Sequence, residues 1–370
     1  MSHRLAVAAV FLLLLVFPSI QTSAAISRPD TTRCLTDAMA HPPPSQVSIA
    51  LVKPTFTSTP YSKYDFGSFY YFFHKHVADS VVTSGLEPLA TPVADAQEYN
   101  DGWGQDYSLY SFFKYGNQES DPARCGLVLG ANVRVVDDVS VNAGALFNPD
   151  GSKRFDSVVI GHEEYVTQAE YDQFHRFVAA GGRLVGMSGN MFFARVNYSG
   201  GIETLVAGHG WTFDGKVATA SHNQPFAVAN INWFGSNYLA KMLMPDHATL
   251  NPNDTIGAKL AETFGGEITQ SYSGRLEVNE LQNFSFTSIV ASWTTSVKSY
   301  VHQYGPGLSI CLCVYSEANL FSDLAFGYFL VNALLDEMPS QILSPGLYRI
   351  GPMTCSATVC HSPRSLRFFD

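Results

Sequence analysis

Several features that would place this 370-residue chain in a familiar class are missing. No cluster of Lys or Arg occurs anywhere, and the formal net charge is -10. That argues against a groove for nucleic acid, and an acidic surface serves mainly solubility. After Phe17 no apolar run approaches the ~20 residues that a membrane-spanning helix needs. The common catalytic signatures are also missing. There is no H-E-x-x-H, no P-loop, no G-x-G-x-x-G opening a helix and no paired C-x-x-C zinc signature. No G-x-S-x-G or G-x-C-x-G elbow stands where a nucleophile would be expected, and there is no internal repeat. These absences remove the usual hydrolase, nucleotide and dinucleotide readings.

What is present suits an exported globular chain. With 46% hydrophobic residues the sequence supports a large core in one or two domains. His3 and Arg4 precede the apolar run Leu5 to Phe17, and Ser23-Ala24-Ala25 supplies small residues for cleavage. This is the pattern of a secretory signal peptide, the competing reading being a membrane anchor. Cys34, Cys125, Cys311, Cys313, Cys355 and Cys360 form an even set, which in an exported chain suggests disulfides of open connectivity. Cys311 and Cys313 alternate on one expected strand and share a face, so they need not pair with each other. The segment from Cys355 to Cys360 can close locally. Asn197-Tyr198-Ser199, Asn253-Asp254-Thr255 and Asn283-Phe284-Ser285 match the glycosylation sequon.

The organising stretch runs from Phe155 to Val196. Asp156 to Ile160 is a short, β-branched apolar run, as in a strand buried on both faces. Gly161-His162-Glu163-Glu164-Tyr165 leaves it. Thr167 and Glu170 have capping-box spacing, and Tyr171, Phe174, Phe177 and Val178 fall on one helical face. Gly181-Gly182 ends that helix. Arg183 to Met187 is a second strand, and Ser188-Gly189-Asn190 turns out of it. This is one βαβ unit, which implies a parallel pair and a right-handed crossover. Ligands in such sheets sit beyond the carboxyl ends of strands. Any chemistry is therefore expected between the HEEY and SGN loops.

Residues 26–46, ending in Pro42-Pro43-Pro44, read as a linker. Val47 to Val52 is a buried strand, and Lys53 to Thr57 the loop after it. Tyr64 to His76 is an aromatic helix, more a core element than a ligand platform. The His74 and His76 spacing faces together only on a strand. Residues 85 to 125 lack periodicity and are expected to form a long ordered loop. Val133 to Val136 is a strand whose Asp137-Asp138 exit reads as a solvated turn rather than a metal pair. Further strands are expected at Ile202–Val206, Phe286–Trp293, Ser299–Gln303 and Leu308–Tyr315. Tyr304-Gly305-Pro306-Gly307 closes a hairpin between the last two. Leu320 to Met338 is a final helix, and the tail from Gln341 wraps the surface.

The crowding of His162, Glu163, Glu164 and Tyr165 at one strand end admits three accounts. A hard metal ion takes phenolate and carboxylate oxygens, polarises a carbonyl and activates water. A metal-free site uses Glu164 or His162 as general base. A purely structural account packs Tyr165, leaves Glu163 solvated and lets His162 cap the loop.

The same residues carry a resemblance. Gly161-His162-Glu163-Glu164-Tyr165, Gly181-Gly182 and Ser188-Gly189-Asn190-Met191-Phe192-Phe193-Ala194-Arg195-Val196 resemble the C-terminal α/β domain of the N,N-dimethylformamidase large-subunit family. There a G-S-H-P-E-Y-type loop, a helix ending in G-G and a G-G-N-type turn follow one another. The resemblance implies a class I glutamine-amidotransferase-like fold. Ser188-Gly189-Asn190 stands where such a domain would put its cysteine nucleophile, and no cysteine is there. It also implies hydrolysis of a small formamide at a mononuclear iron held by two tyrosines and a glutamate. Tyr165 matches the tyrosine of the motif and is the expected metal ligand. The second tyrosine and the glutamate are not placed; Tyr61, Tyr99, Glu262 and Glu267 are the possibilities.

The expected fold is α/β: a mostly parallel, flavodoxin-like sheet flanked by helices, with β-rich insertions in the second half. Its expected limits are a signal peptide at 1–25, a linker at 26–46, the domain at 47–345 and an irregular, cysteine-containing tail at 346–370. The expected function is exported, metal-dependent hydrolysis of a carbon–nitrogen bond in a small amide. His162, Glu164 and Asn190 would be catalytic, Tyr165 would bind iron, and no nucleic acid or membrane span would be involved. The alternative is an inactive module that binds a ligand, glycan or partner at the cell surface.

Overall fold

The computed structural model describes residues 47–62, 69, 80–82, 107–115, 121–208, 211–214, 217–220, 224–269, 275–314, 324–335, 354–356 and 359–361. The expected signal peptide, the linker, Tyr99, the His74/His76 pair and most of the 64–76 aromatic stretch lie outside the described residues. Among the described residues no helix is long and apolar enough to cross a membrane.

The strands, in chain order, begin with β1 (Ile49–Lys53), β2 (Ser80–Val82), β3 (Val133–Asp137), β4 (Ser157–Ile160), β5 (Tyr165–Thr167) and β6 (Arg183–Gly186). Then come β7 (Ala194–Ser199), β8 (Ile202–Gly208), β9 (Trp211–Asp214), β10 (Val217–Ala220), β11 (Ser236–Leu243) and β12 (His247–Leu250). The last are β13 (Glu267–Thr269), β14 (Arg275–Leu281), β15 (Thr287–Ser292), β16 (Lys298–Tyr304), β17 (Gly307–Cys311), β18 (Thr354–Ser356) and β19 (Val359–His361). The helices are α1 (Thr55–Ser62), α2 (Tyr107–Tyr115), α3 (Asp121–Gly130), α4 (Asp138–Asn142), α5 (Gln168–Ala179), α6 (Ala227–Trp233), α7 (Thr255–Phe264) and α8 (Leu324–Leu335).

The main sheet has nine strands in the order β13-β12-β15-β16-β17-β6-β4-β1-β3. The β3-β1-β4-β6-β17 neighbours are parallel. From β17 outward through β16, β15, β12 and β13 every pairing is antiparallel. The expectation of a mostly parallel, flavodoxin-like sheet is therefore overturned. The sheet is mixed, and its antiparallel wing is structural rather than an insertion. The cause is local: Tyr304-Gly305-Pro306-Gly307 makes a tight hairpin, which forces β16 and β17 antiparallel. A second, six-stranded sheet runs β10-β9-β8-β7-β5, with β2 also paired to β8.

Strand alternation sorts the core. Ile49, Leu51, Val135, Val159 and Val185 pack on one face of the main sheet with α2, α3, α7 and α8. Ala50, Val52, Val136, Val158, Ile160 and Leu184 pack on the other with α5 and α6. Helix α5 carries Tyr171, Phe174, Phe177 and Val178 into that second layer, the face expected from its spacing. Tyr171 Oη donates to Asn230 Oδ1 (2.7 Å) and accepts from Trp233 Nε1 (2.7 Å), all three groups being buried. Tyr171→Phe strands both partners at once and is expected to cost about 2–4 kcal/mol in urea unfolding.

The long loop expected over 85–125 is also corrected, because α2 and α3 occupy much of its second half. Two glycines of α3 are contact points with α2. A Cβ on Gly126 would meet the Phe112 carbonyl oxygen at 2.7 Å, and one on Gly130 the Phe113 oxygen at 2.2 Å. The Asp137-Asp138 exit is no solvated turn, since both side chains are fully buried. Asp137 caps α4 by accepting from the Ser140 N–H (2.9 Å).

Cys311 and Cys313, expected not to need each other, are disulfide-bonded. Strand β17 ends at Cys311, and Cys313 adopts a left-handed φ of 68°, which breaks the alternation on which that expectation rested. In the tail, Cys355 and Cys360 are register partners across the β18–β19 hairpin.

Candidate functional site

The HEEY and SGN loops are both crossovers between the two sheets. Gly161 to Glu164 leads from β4 in the main sheet to β5 in the second. Met187 to Phe193 leads from β6 to β7 in the same way. The loops are stitched together by the Met187 N–H to the Ile160 carbonyl (2.9 Å), Phe192 to Glu163 (2.7 Å) and Ala194 to Glu164 (2.9 Å). β5 and β7 then run parallel, Tyr165 opposite Ala194. The site lies where the sheets part, at the carboxyl ends of parallel strands, where such folds place ligands.

Successive side chains of the HEEY loop go to different groups. His162 and Glu164 join Glu277 of β14. His162 Nε2 lies 3.5 Å from Glu164 Oε2 and 3.6 Å from Glu277 Oε2. Asn190 Nδ2 donates to Glu277 Oε2 (3.2 Å). Glu164 is fully buried, whereas the Glu277 side chain keeps 18% of its surface, so water reaches Glu277. Asn190 itself has a left-handed φ of 59°, which asparagine tolerates better than most residues. Phe192 shares that region at 56°, where a bulky residue is unusual, and such strain collects at functional loops.

β14 reaches the SGN loop with two polar side chains. Glu277 and Asn279 are two residues apart and share a face, while Leu276 and Val278 point into the core. Asn279 Oδ1 accepts from the Met191 N–H (3.2 Å). The Asn279 N–H donates to the Cys313 carbonyl (3.0 Å), which ties β14 to the disulfide segment. Tyr238, on the neighbouring β11 beside a register shift, packs its ring on Phe193 at 4.3 Å. Burial holds its phenol protonated well above the usual range, and Glu277 and Glu164 add to that.

Glu163 and Tyr165 turn to the other side. Tyr165 is fully buried with Phe56, Phe69, Ala194, Val196 and Leu205, its ring edge-on to Phe69 at 5.3 Å. Val166, next in sequence, belongs instead to the core of the main sheet. Glu163, fully buried rather than solvated, meets Asp138 and Glu170.

His162, Glu164 and Asn190 are thus brought together, with Tyr165 below them in an apolar layer. Glu262 and Glu267, possible iron ligands on the sequence, are exposed on α7 and β13 at the far antiparallel edge of the main sheet. Tyr61 lies in α1, and Tyr99 is outside the described residues. Glu277 and Tyr238 escaped the sequence reading. A period-two signal was available in Leu276-Glu277-Val278-Asn279, where the polar face is as regular as the apolar one.

Several solved structures bear a faint likeness to this one. A β-galactosidase from Bacillus circulans sp. alkalophilus is 11% identical over 62% of this chain, with a TM-score of 0.35. This chain covers only 27% of that enzyme. A ThuA-like protein from Bacteroides uniformis is 14% identical over 62% of this chain and 84% of its own, with a TM-score of 0.37. Neither superposes well enough to define a shared fold or to carry a functional argument. No curated protein matches the sequence. The model of the N,N-dimethylformamidase beta subunit-like, C-terminal family matches residues 27–236, more than half of the 370. That span includes both crossover loops and α5, and the chain belongs to this family.

Proposed function

We propose that the chain is an exported hydrolase of the carbon–nitrogen bond of a small amide, working at the His162–Glu164–Glu277–Asn190 group. Family membership supports a dimethylformamidase-like hydrolase. One observation carries the site: four polar side chains from two crossover loops and β14 converge at one point between the sheets. The signal-like Leu5 to Phe17 run and the Ser23-Ala24-Ala25 triplet support export.

In this reading Glu277, the carboxylate that water reaches, takes a proton from the attacking water. Asn190 orients that carboxylate. His162, between the two carboxylates, passes the proton to the leaving nitrogen, so amide and water give carboxylic acid and amine. Buried Glu164 holds the imidazole. The Tyr238 phenol, kept protonated, donates toward the carbonyl oxygen as charge builds there.

The resemblance also implies iron. The donors fit a hard cation: two carboxylates, one imidazole and a phenol within their electrostatic influence. Glu164 would hold it, and it would supply Lewis acidity toward the amide carbonyl. Tyr165, which the motif assigns as ligand, sits one residue along on the apolar side.

Iron content, visible absorption and hydrolysis of short formamides test the reading on wild type, Glu164→Gln, Tyr238→Phe and Tyr165→Phe. The expected result is about one iron per chain, lost with activity in Glu164→Gln. A tyrosinate band, if present, should vanish in Tyr238→Phe or Tyr165→Phe and so identify its source. A well-folded wild type that cleaves no formamide or larger primary amide, with or without added iron, would overturn the proposal.

A further inference from the structure

The other side of the HEEY loop faces a group of acids that the chemistry above does not use. Asp138, Glu163 and Glu170 each bring a carboxylate oxygen within 4.8 Å of the others, and all three residues are buried. They come from three elements: the start of α4, the loop itself and the first turn of α5.

One further observation points to a ligand. Glu203 comes from β8 of the second sheet and is fully buried. Neither of its carboxylate oxygens has a hydrogen-bond partner. Burial raises its pKa, and the nearby charge of Asp138 adds to the rise. Thr167 Oγ1 accepts from the Glu170 N–H (3.0 Å), the first half of a capping box. The second half would return the Glu170 carboxylate to the backbone N–H of the cap residue. The Glu170 carboxylate faces the Thr167 backbone, Asp138 and Glu163.

Carboxylates crowded away from water need a counter-charge or shared protons. Lys53 is buried at the end of β1, in register with Asp137. The Phe56 N–H donates to Asp138 Oδ2 (2.7 Å), which fixes that carboxylate in place.

We propose that Asp138, Glu163, Glu170 and Glu203 bind a hard divalent cation of the calcium or manganese type, at a structural site separate from His162, Glu164 and Glu277. All-oxygen donor sets are what such ions take. The Asp138, Glu163 and Glu170 oxygens, up to 4.8 Å apart, suit opposite ligands on an ion with bonds of about 2.4 Å. The ion ties α4, α5 and the second sheet together beneath the HEEY loop. It holds Glu163 on one side while Glu164 serves the other.

The full mature chain would be stripped with chelator and titrated with calcium, manganese or magnesium. Melting temperature and bound metal would be measured for wild type, Glu170→Gln and Glu203→Gln. Wild type should gain roughly 5 °C or more on saturation. Both variants should melt above stripped wild type, because one buried negative charge is gone, yet bind the cation at least tenfold more weakly. The proposal is overturned if wild type binds no cation and its melting temperature stays put. The acids would then share protons. Amide hydrolysis measured in parallel keeps the two readings apart, since the His162–Glu164–Glu277–Asn190 group shares no ligand with this ion.

Discussion

Glu277→Gln is expected to lower kcat for amide hydrolysis by about 10²–10⁴-fold, with KM and melting temperature nearly unchanged. The substitution is close to isosteric. A glutamine oxygen still accepts from Asn190 Nδ2, so the 3.2 Å contact that joins β14 to the SGN loop survives. What disappears is the negative charge 3.6 Å from His162 Nε2 and the ability to take a proton. Glu164 is no substitute as base, because it is fully buried while Glu277 keeps contact with water. Steady-state kinetics on a cleavable formamide, beside Glu164→Gln, separates the two roles. Full activity in Glu277→Gln with loss in Glu164→Gln would move the base to Glu164 and leave Glu277 as a positioning residue.

Much of this was legible in local sequence. The strand at Ser157–Ile160, the helix at Gln168–Ala179 and the strand at Arg183–Gly186 follow from periodicity and caps. So does the meeting of the two loops after those strands, because a βαβ unit puts both exits at one edge. The mixed character of the sheet was not legible from that unit. Each strand near the centre is an apolar run whichever way its neighbour points, and only the hairpin at Tyr304–Gly307 reveals the antiparallel wing. Nor does local sequence say that the two loops cross into a second sheet. That depends on pairing between β5 and β7, and on β7 with β8, set by contacts distant along the chain.

The site was legible by halves for a related reason. His162, Glu164 and Asn190 lie on the two loops that the βαβ unit joins, so spacing alone brings them near. Glu277 lies 87 residues beyond Asn190 and arrives only because β14 docks on the SGN loop. Glu170 was read as a cap residue, and its backbone does serve the cap. Its carboxylate also meets Asp138 and Glu163, which the Thr167-x-x-Glu170 spacing cannot convey. Glu203 lies in the Ile202–Val206 stretch, whose sequence marks a strand and nothing more. Its burial is a consequence of the layer formed by α1 and α4 over the second sheet.

Gly189→Ala is expected to cost about 3 kcal/mol or more and to reduce activity beyond what unfolding explains. A Cβ at Gly189 would stand 2.1 Å from the Glu277 carbonyl oxygen, 2.5 Å from its carbon and 2.7 Å from Val278 Cα. All three are backbone atoms, so no flexible side chain can swing away. Either β14 shifts or the SGN loop does. The loop has little room to yield, since Asn190 and Phe192 already have positive φ. β14 is held in turn by the Asn279 N–H on the Cys313 carbonyl. The clash therefore pries apart the two elements whose contact sets Glu277 against Asn190 and His162. Urea unfolding gives the stability loss. Kinetics at low temperature and low denaturant, where the variant is folded, give the rest. A variant that folds fully there and regains wild-type kcat would show that the close approach of β14 serves stability alone. A folded variant still down by about 10²-fold or more would show that the glycine holds the base in place.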